Sequence, residues 1–128
     1  MSMTQLTFSL TDNIGNELFF ITEANILDSP HLKIITFIEQ TDLELKTKVL
    51  IYDNHIELYR TGLISMSLDF DLSKHTKAII KSSYGYEISM ENRTLELKIQ
   101  KNEIYIVYQT SNDMEKGIIH TLKMTWEK

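Results

Sequence analysis

Apolar and polar residues alternate one by one along almost the whole chain. Met66–Phe70 reads M-S-L-D-F and Thr94–Gln100 reads T-L-E-L-K-I-Q. A period of two places apolar side chains on one face of a sheet and polar ones on the other. The blocks are short, and the breaks between them are rich in Asn, Asp, Ser and Gly, so the pattern predicts about ten antiparallel strands joined by tight turns. The segments are Thr4–Thr11, Glu17–Leu27, Leu32–Glu39, Leu43–Tyr52, His55–Thr61, Leu63–Asp71, His75–Ser82, Tyr86–Glu91, Thr94–Lys101, Ile104–Thr110 and Ile118–Trp126.

The breaks carry their own signals. Asp53-Asn54 reads as a two-residue hairpin, since both residue types tolerate positive φ. Gly62 marks a bulge or a sharp bend. Asn92-Arg93-Thr94 reads as a turn opening a strand. Asn112–Lys116 is the one segment with material for a helical turn. Many short strands must hide their edges, and closing the sheet into a barrel does so. A two-sheet sandwich is the competing architecture, disfavoured because short hairpin links outnumber long crossovers. The expectation is an all-β chain, residues 1–128 forming a single domain: an antiparallel closed β-barrel of about eight to ten strands.

Apolar parity assigns the inward face. In mid-chain it holds Ile56, Leu58, Ile64, Met66, Leu68 and Phe70. Later it holds Leu95, Leu97, Ile99, Ile104, Ile106, Tyr108, Ile118, Leu122, Met124 and Trp126. Phe19, Ile21, Ile35, Phe37, Leu50 and Tyr52 fall on the opposite parity. They predict either an exposed apolar patch, the mark of a partner or dimer contact, or early strands covered on both faces.

Composition narrows the classes. The chain has 128 residues, 18 acidic and 13 basic, and a formal charge of -5. That sign repels phosphate backbones and anionic bilayers, so neither a nucleic acid nor a membrane is expected as partner. There is no cysteine, which removes disulfides, thiolate catalysis and cysteine-based zinc sites. Met1–Leu10 lacks a basic region followed by a long apolar run, so the expected location is cytoplasmic.

Two polar residues, Arg60 and His120, share the inward parity. Arg60 has three readings: a strand end in water, a packing clamp over the barrel end, or an anchor for an anionic head group. His120 is either a satisfied core histidine or a general base that would need an orienting partner. The four histidines lack metal-ligand spacing, so no metal site is expected. Asp69 and Asp71 form a carboxylate pair by spacing, but their parity is outward. Asp12–Glu17 lacks calcium-loop spacing, and there is no G-x-S-x-G elbow or Gly-rich phosphate loop.

One stretch, Y-R-T-G-L-I-S-M-S-L-D-F from Tyr59 to Phe70, together with Ser82-Ser83-Tyr84-Gly85, resembles the YwiB-like proteins. These are small uncharacterised bacterial proteins with a calycin-like, lipocalin-related barrel. The likeness extends to an L-x-L-x-I hairpin and a closing H-x-L-x-M-x-W strand. The family's usual T-P-Y-G is S-S-Y-G here. The resemblance implies a closed calycin-like barrel, and it implies no activity. Arg60, Gly62, Met66, Tyr84 and Gly85 carry over as motif positions without roles.

The leading expectation is therefore a non-catalytic binding barrel, without cofactor, for a small apolar or amphipathic ligand. Arg60, Tyr84, Tyr108 and His120 are its candidate ligand-binding residues, with Gly62, Met66 and Gly85 structural. The alternative is an interaction or structural module that forms a homodimer through the outer face of the early strands.

Overall fold

A computed structural model describes residues 3–111 and 117–127. It contains ten strands: β1 (Met3–Asp12), β2 (Glu17–Ser29), β3 (Leu32–Ile38), β4 (Lys46–Tyr52), β5 (Ile56–Thr61), β6 (Ile64–Phe70), β7 (Thr76–Ser82), β8 (Glu87–Gln100), β9 (Glu103–Ser111) and β10 (Ile118–Trp126). Each strand pairs antiparallel with the next, and β10 returns to β1. The product is a closed ten-stranded barrel, with no helix among the described residues. The Asn112–Lys116 turn lies outside them.

Eleven predicted segments become ten strands because Tyr86–Glu91 and Thr94–Lys101 are one element. Asn92-Arg93-Thr94 is not a turn. The strand runs through it and absorbs a bulge between Thr94 and Glu96. The extra residue reverses the parity. Asn92 and Thr94 are buried before the bulge and Leu97 packs inward after it, while Leu95 is exposed; Ile99 keeps the parity of Leu97, opposite Ile104, but is exposed near the strand end. Ile64, at the start of β6, shares the parity of Met66 and Leu68 but is exposed.

The interior is filled by rows of side chains from facing strands. Ile35, Val49, Leu58 and Leu68 align across β3 to β6, and all are buried. Phe8 and Phe20 stack with centroids 4.8 Å apart, and Phe37 lies 6.0 Å from each. Phe70 meets Tyr108 at 4.7 Å. The predicted outer patch is thereby corrected: Ile35 and Phe37 belong to the core. Adjacent apolar pairs, Phe19-Phe20 and Ile34-Ile35, made local parity ambiguous. Pairing across the barrel resolves it, leaving Phe19 and Ile21 outside.

Turn chemistry also departs from expectation. Asp53-Asn54 does make the β4–β5 hairpin, where the Tyr52 amide donates to the His55 carbonyl at 3.0 Å. Neither residue has positive φ; among the described non-glycine residues only Glu44 does. Gly85 does supply it, at 95°, in the β7–β8 turn. Gly62, between β5 and β6, has no positive φ. Its constraint is space, since a Cβ there would sit 2.5 Å from Leu45 Cδ2.

Gly62→Val should therefore destabilise the protein by more than about 1 kcal/mol through overpacking. The cost should shrink in a Leu45→Ala background. Denaturant midpoints of the four proteins in this cycle check it; equal costs in both backgrounds would exclude Leu45 as the cause.

Candidate functional site

Antiparallel order brings the ends of β1, β3, β5, β7 and β9 to one rim, together with the starts of their successors. Arg60, the Tyr84-Gly85 turn and His120 all lie toward this rim. Arg60 points inward, in the row formed by Thr47 on β4 and Met66 on β6. Its partner is Glu39, one residue beyond β3. Arg60 Nε and Nη2 donate to the two carboxylate oxygens at 2.7 Å each, and Thr47 Oγ1 donates to one of them at 2.6 Å. Arg60 Nη1 also approaches Met66 Sδ at 3.9 Å.

Glu39 is fully buried, and its guanidinium partner retains 19% side-chain exposure. A carboxylate can sit there only because three donors face it in place of water. Its backbone is fixed as well, since the Glu39 amide donates to the Leu45 carbonyl at 2.9 Å. Tyr84 is 88% exposed and stands apart from this cluster. Sequence reasoning missed Glu39, although a signal existed: it continues the parity of Ile35 and Phe37 and faces Arg60's strand through β4.

His120 occupies a second inner cluster. Its ring stacks on Tyr108 at 4.7 Å, and Nε2 is hydrogen-bonded to Thr110 Oγ1 at 2.8 Å. Burial lowers the imidazole pKa below its usual value, and the nearby Asp12 carboxylate acts in the opposite sense. Burial pushes the Tyr108 phenol up to about 12, while Arg60 acts to lower it. Tyr108 and His120 are thus held in a stacked, hydrogen-bonded packing unit.

A further open volume is lateral. β3 pairs with β2 only along Asn25–Ser29, so the first part of β2 diverges from the β3–β4 hairpin. At that seam lies a cleft of about 550 Å³. Phe37, Ile38 and Met3 supply apolar lining, Thr22 and Thr47 polar lining, and Lys46 and Lys48 the cations. Gln40 bridges the seam, its Nε2 donating to the Ile38 carbonyl at 3.1 Å and to Thr22 Oγ1 at 3.3 Å. Thr47 links the cleft to the ion pair, because it lines the one and donates to the other.

The opposite end is closed differently. Lys33 Nζ donates to the Lys101 carbonyl at 3.0 Å and lies 5.2 Å from the Trp126 ring centroid. Asp69 and Asp71 do not act as a pair. Asp71 accepts from the Ser73 amide and hydroxyl, which lowers its pKa, whereas burial raises that of Asp69. Among the described residues, no group of three or more His, Cys, Asp or Glu is placed to hold a metal. No helix among the described residues is long and apolar enough to cross a membrane.

These features define a class: a small closed antiparallel barrel with a filled interior, an ion-paired rim and a lateral cleft. A family model described as a domain of unknown function, DUF1934, matches residues 4–124, and the chain belongs to that family. It is similar in fold to the crystal structure of the ywiB protein from Bacillus subtilis, with a TM-score of 0.74 at 21% identity. That match covers 98% of this chain and 89% of the other. The YwiB-like resemblance is thus borne out. Intraflagellar transport protein 172 homologs of Mus musculus and Rattus norvegicus are 34% and 33% identical to it over 88 residues. The chain spans 4% of the length of these curated relatives.

Two outcomes test the rim. Arg60→Met should cost about 3 kcal/mol or more by stranding a buried carboxylate, and Arg60→Met with Glu39→Leu should recover most of it. Urea melts decide; an unchanged midpoint for Arg60→Met would remove the pair from the structural core.

His120 has a folded-state pKa below its unfolded value, so unfolding takes up a proton in the window just under pH 6.5. Stability contributed there is present above the unfolded pKa and is lost as pH falls through the folded one. His120→Gln should flatten this part of the stability–pH profile between pH 7.5 and 5.5; an unaltered slope would assign the dependence to other groups.

Proposed function

We propose that this protein is a non-catalytic binding barrel whose small, partly apolar ligand occupies the seam cleft rather than the barrel axis. The cleft itself carries the reading. Its volume of about 550 Å³ suits a small molecule. The axis, by contrast, is occupied by the packed rings of Phe8, Phe20, Phe37, Phe70 and Tyr108.

The lining suggests the ligand's chemistry. Phe37 and Ile38 offer an apolar wall, and Lys46 and Lys48 offer ammonium groups to an anionic end. Arg60 is the stabiliser of the wall behind, through Glu39 and Thr47, and not the anion anchor. Tyr84, Tyr108 and His120 lie outside the cleft's lining and have no role in this reading. Calycin-like barrels that hold ligands along the axis are an analogy of fold only.

Titration with the aromatic sulfonate anilinonaphthalene sulfonate tests the site. Saturable binding is expected, weakened about tenfold by Lys46→Glu with Lys48→Glu and abolished by Thr36→Trp, which fills the cleft. Native mass spectrometry of the purified protein reports any retained ligand. Undiminished dye binding in both variants would place the site elsewhere.

A further inference from the structure

We infer that the exposed edge of β2 is a docking site for an extended peptide segment with basic residues flanking an apolar centre. The first observation is a mismatch of strand lengths. β2 has 13 residues, and β1 covers it from Glu17 to Asn25, but β3 covers only Asn25–Ser29 on the other side. Among the described residues, no strand pairs with Glu17–Ala24 on the side away from β1. An antiparallel strand directs every second residue's N–H and C=O to each side, so this edge presents a ladder awaiting a partner backbone.

The second observation is that the edge lacks the usual protection. Edges are ordinarily blunted by lysine, proline or a bulge, and Glu17–Ala24 (E-L-F-F-I-T-E-A) contains no lysine or proline, and its pairing with β1 is unbroken. Instead its outer face carries Phe19 at 58% exposure and Ile21 at 50%. Side-chain hydrogen bonds across it converge on Thr22, whose Oγ1 accepts from Gln40 Nε2 at 3.3 Å and donates to the Ile38 carbonyl at 3.5 Å.

Charge selects the occupant. Glu17, Phe19, Ile21 and Glu23 share the outer face, an apolar pair between two carboxylates. A second copy pairing antiparallel about Phe20 would set Glu17 against Glu23 at both ends, and like charges directly opposite are unfavourable. The chain's charge of -5 adds to that repulsion. A strand with Lys or Arg at both ends and two apolar residues between them satisfies the backbone, the apolar pair and both carboxylates together.

The edge adjoins the cleft, whose lining shares Thr22 and Glu23 with it, but Glu17, Phe19 and Ile21 lie outside that lining and separate the two readings. The probe is the heptapeptide K-T-V-T-I-T-K, compared with E-T-V-T-I-T-E, on the full chain. The basic peptide should slow amide exchange of residues between Leu18 and Glu23. It should bind about tenfold more weakly to Glu17→Lys with Glu23→Lys, which should now prefer the acidic peptide. Ile21→Lys should also weaken binding, because it removes half of the exposed apolar pair. The inference fails if neither peptide protects the edge, or if the charge-reversed variant keeps the original preference. It also fails if the edge is already protected without peptide in a concentration-dependent way, which would identify a second copy as the occupant.

Discussion

Closure of the sheet by β1 against β10, from Leu6 opposite Trp126 to Asp12 opposite His120, is the constraint on which the architecture rests. It removes the two edges that a ten-stranded meander would otherwise expose. It also forces every inward side chain into one shared volume, so the rows from different strands must complement one another. The aromatic trio of Phe8, Phe20 and Phe37 draws on β1, β2 and β3, next to the closing pair.

Closure does not require every strand to be covered along its whole length. β2 is nearly twice as long as β3, and the shortfall appears as the seam. The cleft, the Gln40 bridge and the open edge of β2 all follow from that one mismatch. The rim beside it is held by Glu39, Arg60 and Thr47, which come from beyond β3, from β5 and from β4. A buried carboxylate with three donors fixes where the β3–β4 connection turns, and with it the position of Leu45 against Gly62. The rim and the seam are therefore one structural unit.

The inner polar residues divide the barrel's chemistry. Arg60 and His120 share a rim and a parity, yet their environments differ. Arg60 is neutralised by a carboxylate, whereas His120 is held between a tyrosine ring and a threonine hydroxyl, where burial favours its neutral form. Both are satisfied within the fold, which directs attention to the surface seam for binding.

Period-two alternation and polar breaks were enough to read an all-β chain, its closed antiparallel barrel and most strand positions, because strand periodicity is local. The inward rows of β5, β9 and β10 were legible for the same reason: Leu58, Ile106 and Met124 lie where parity places them. Parity failed where it could be reset. The bulge after Thr94 left Leu95 exposed, and the placement of Phe37 depended on register with β4. Glu39 escaped notice because its partner lies 21 residues away and meets it only when β3, β4 and β5 align. The seam was equally invisible, since it arises from the relative lengths of paired strands. Local alternation determined the strands and the need to close them; bulges, register and unequal strand lengths, which exist only between strands, decided the core's membership, the ion pair and the surface open to a partner.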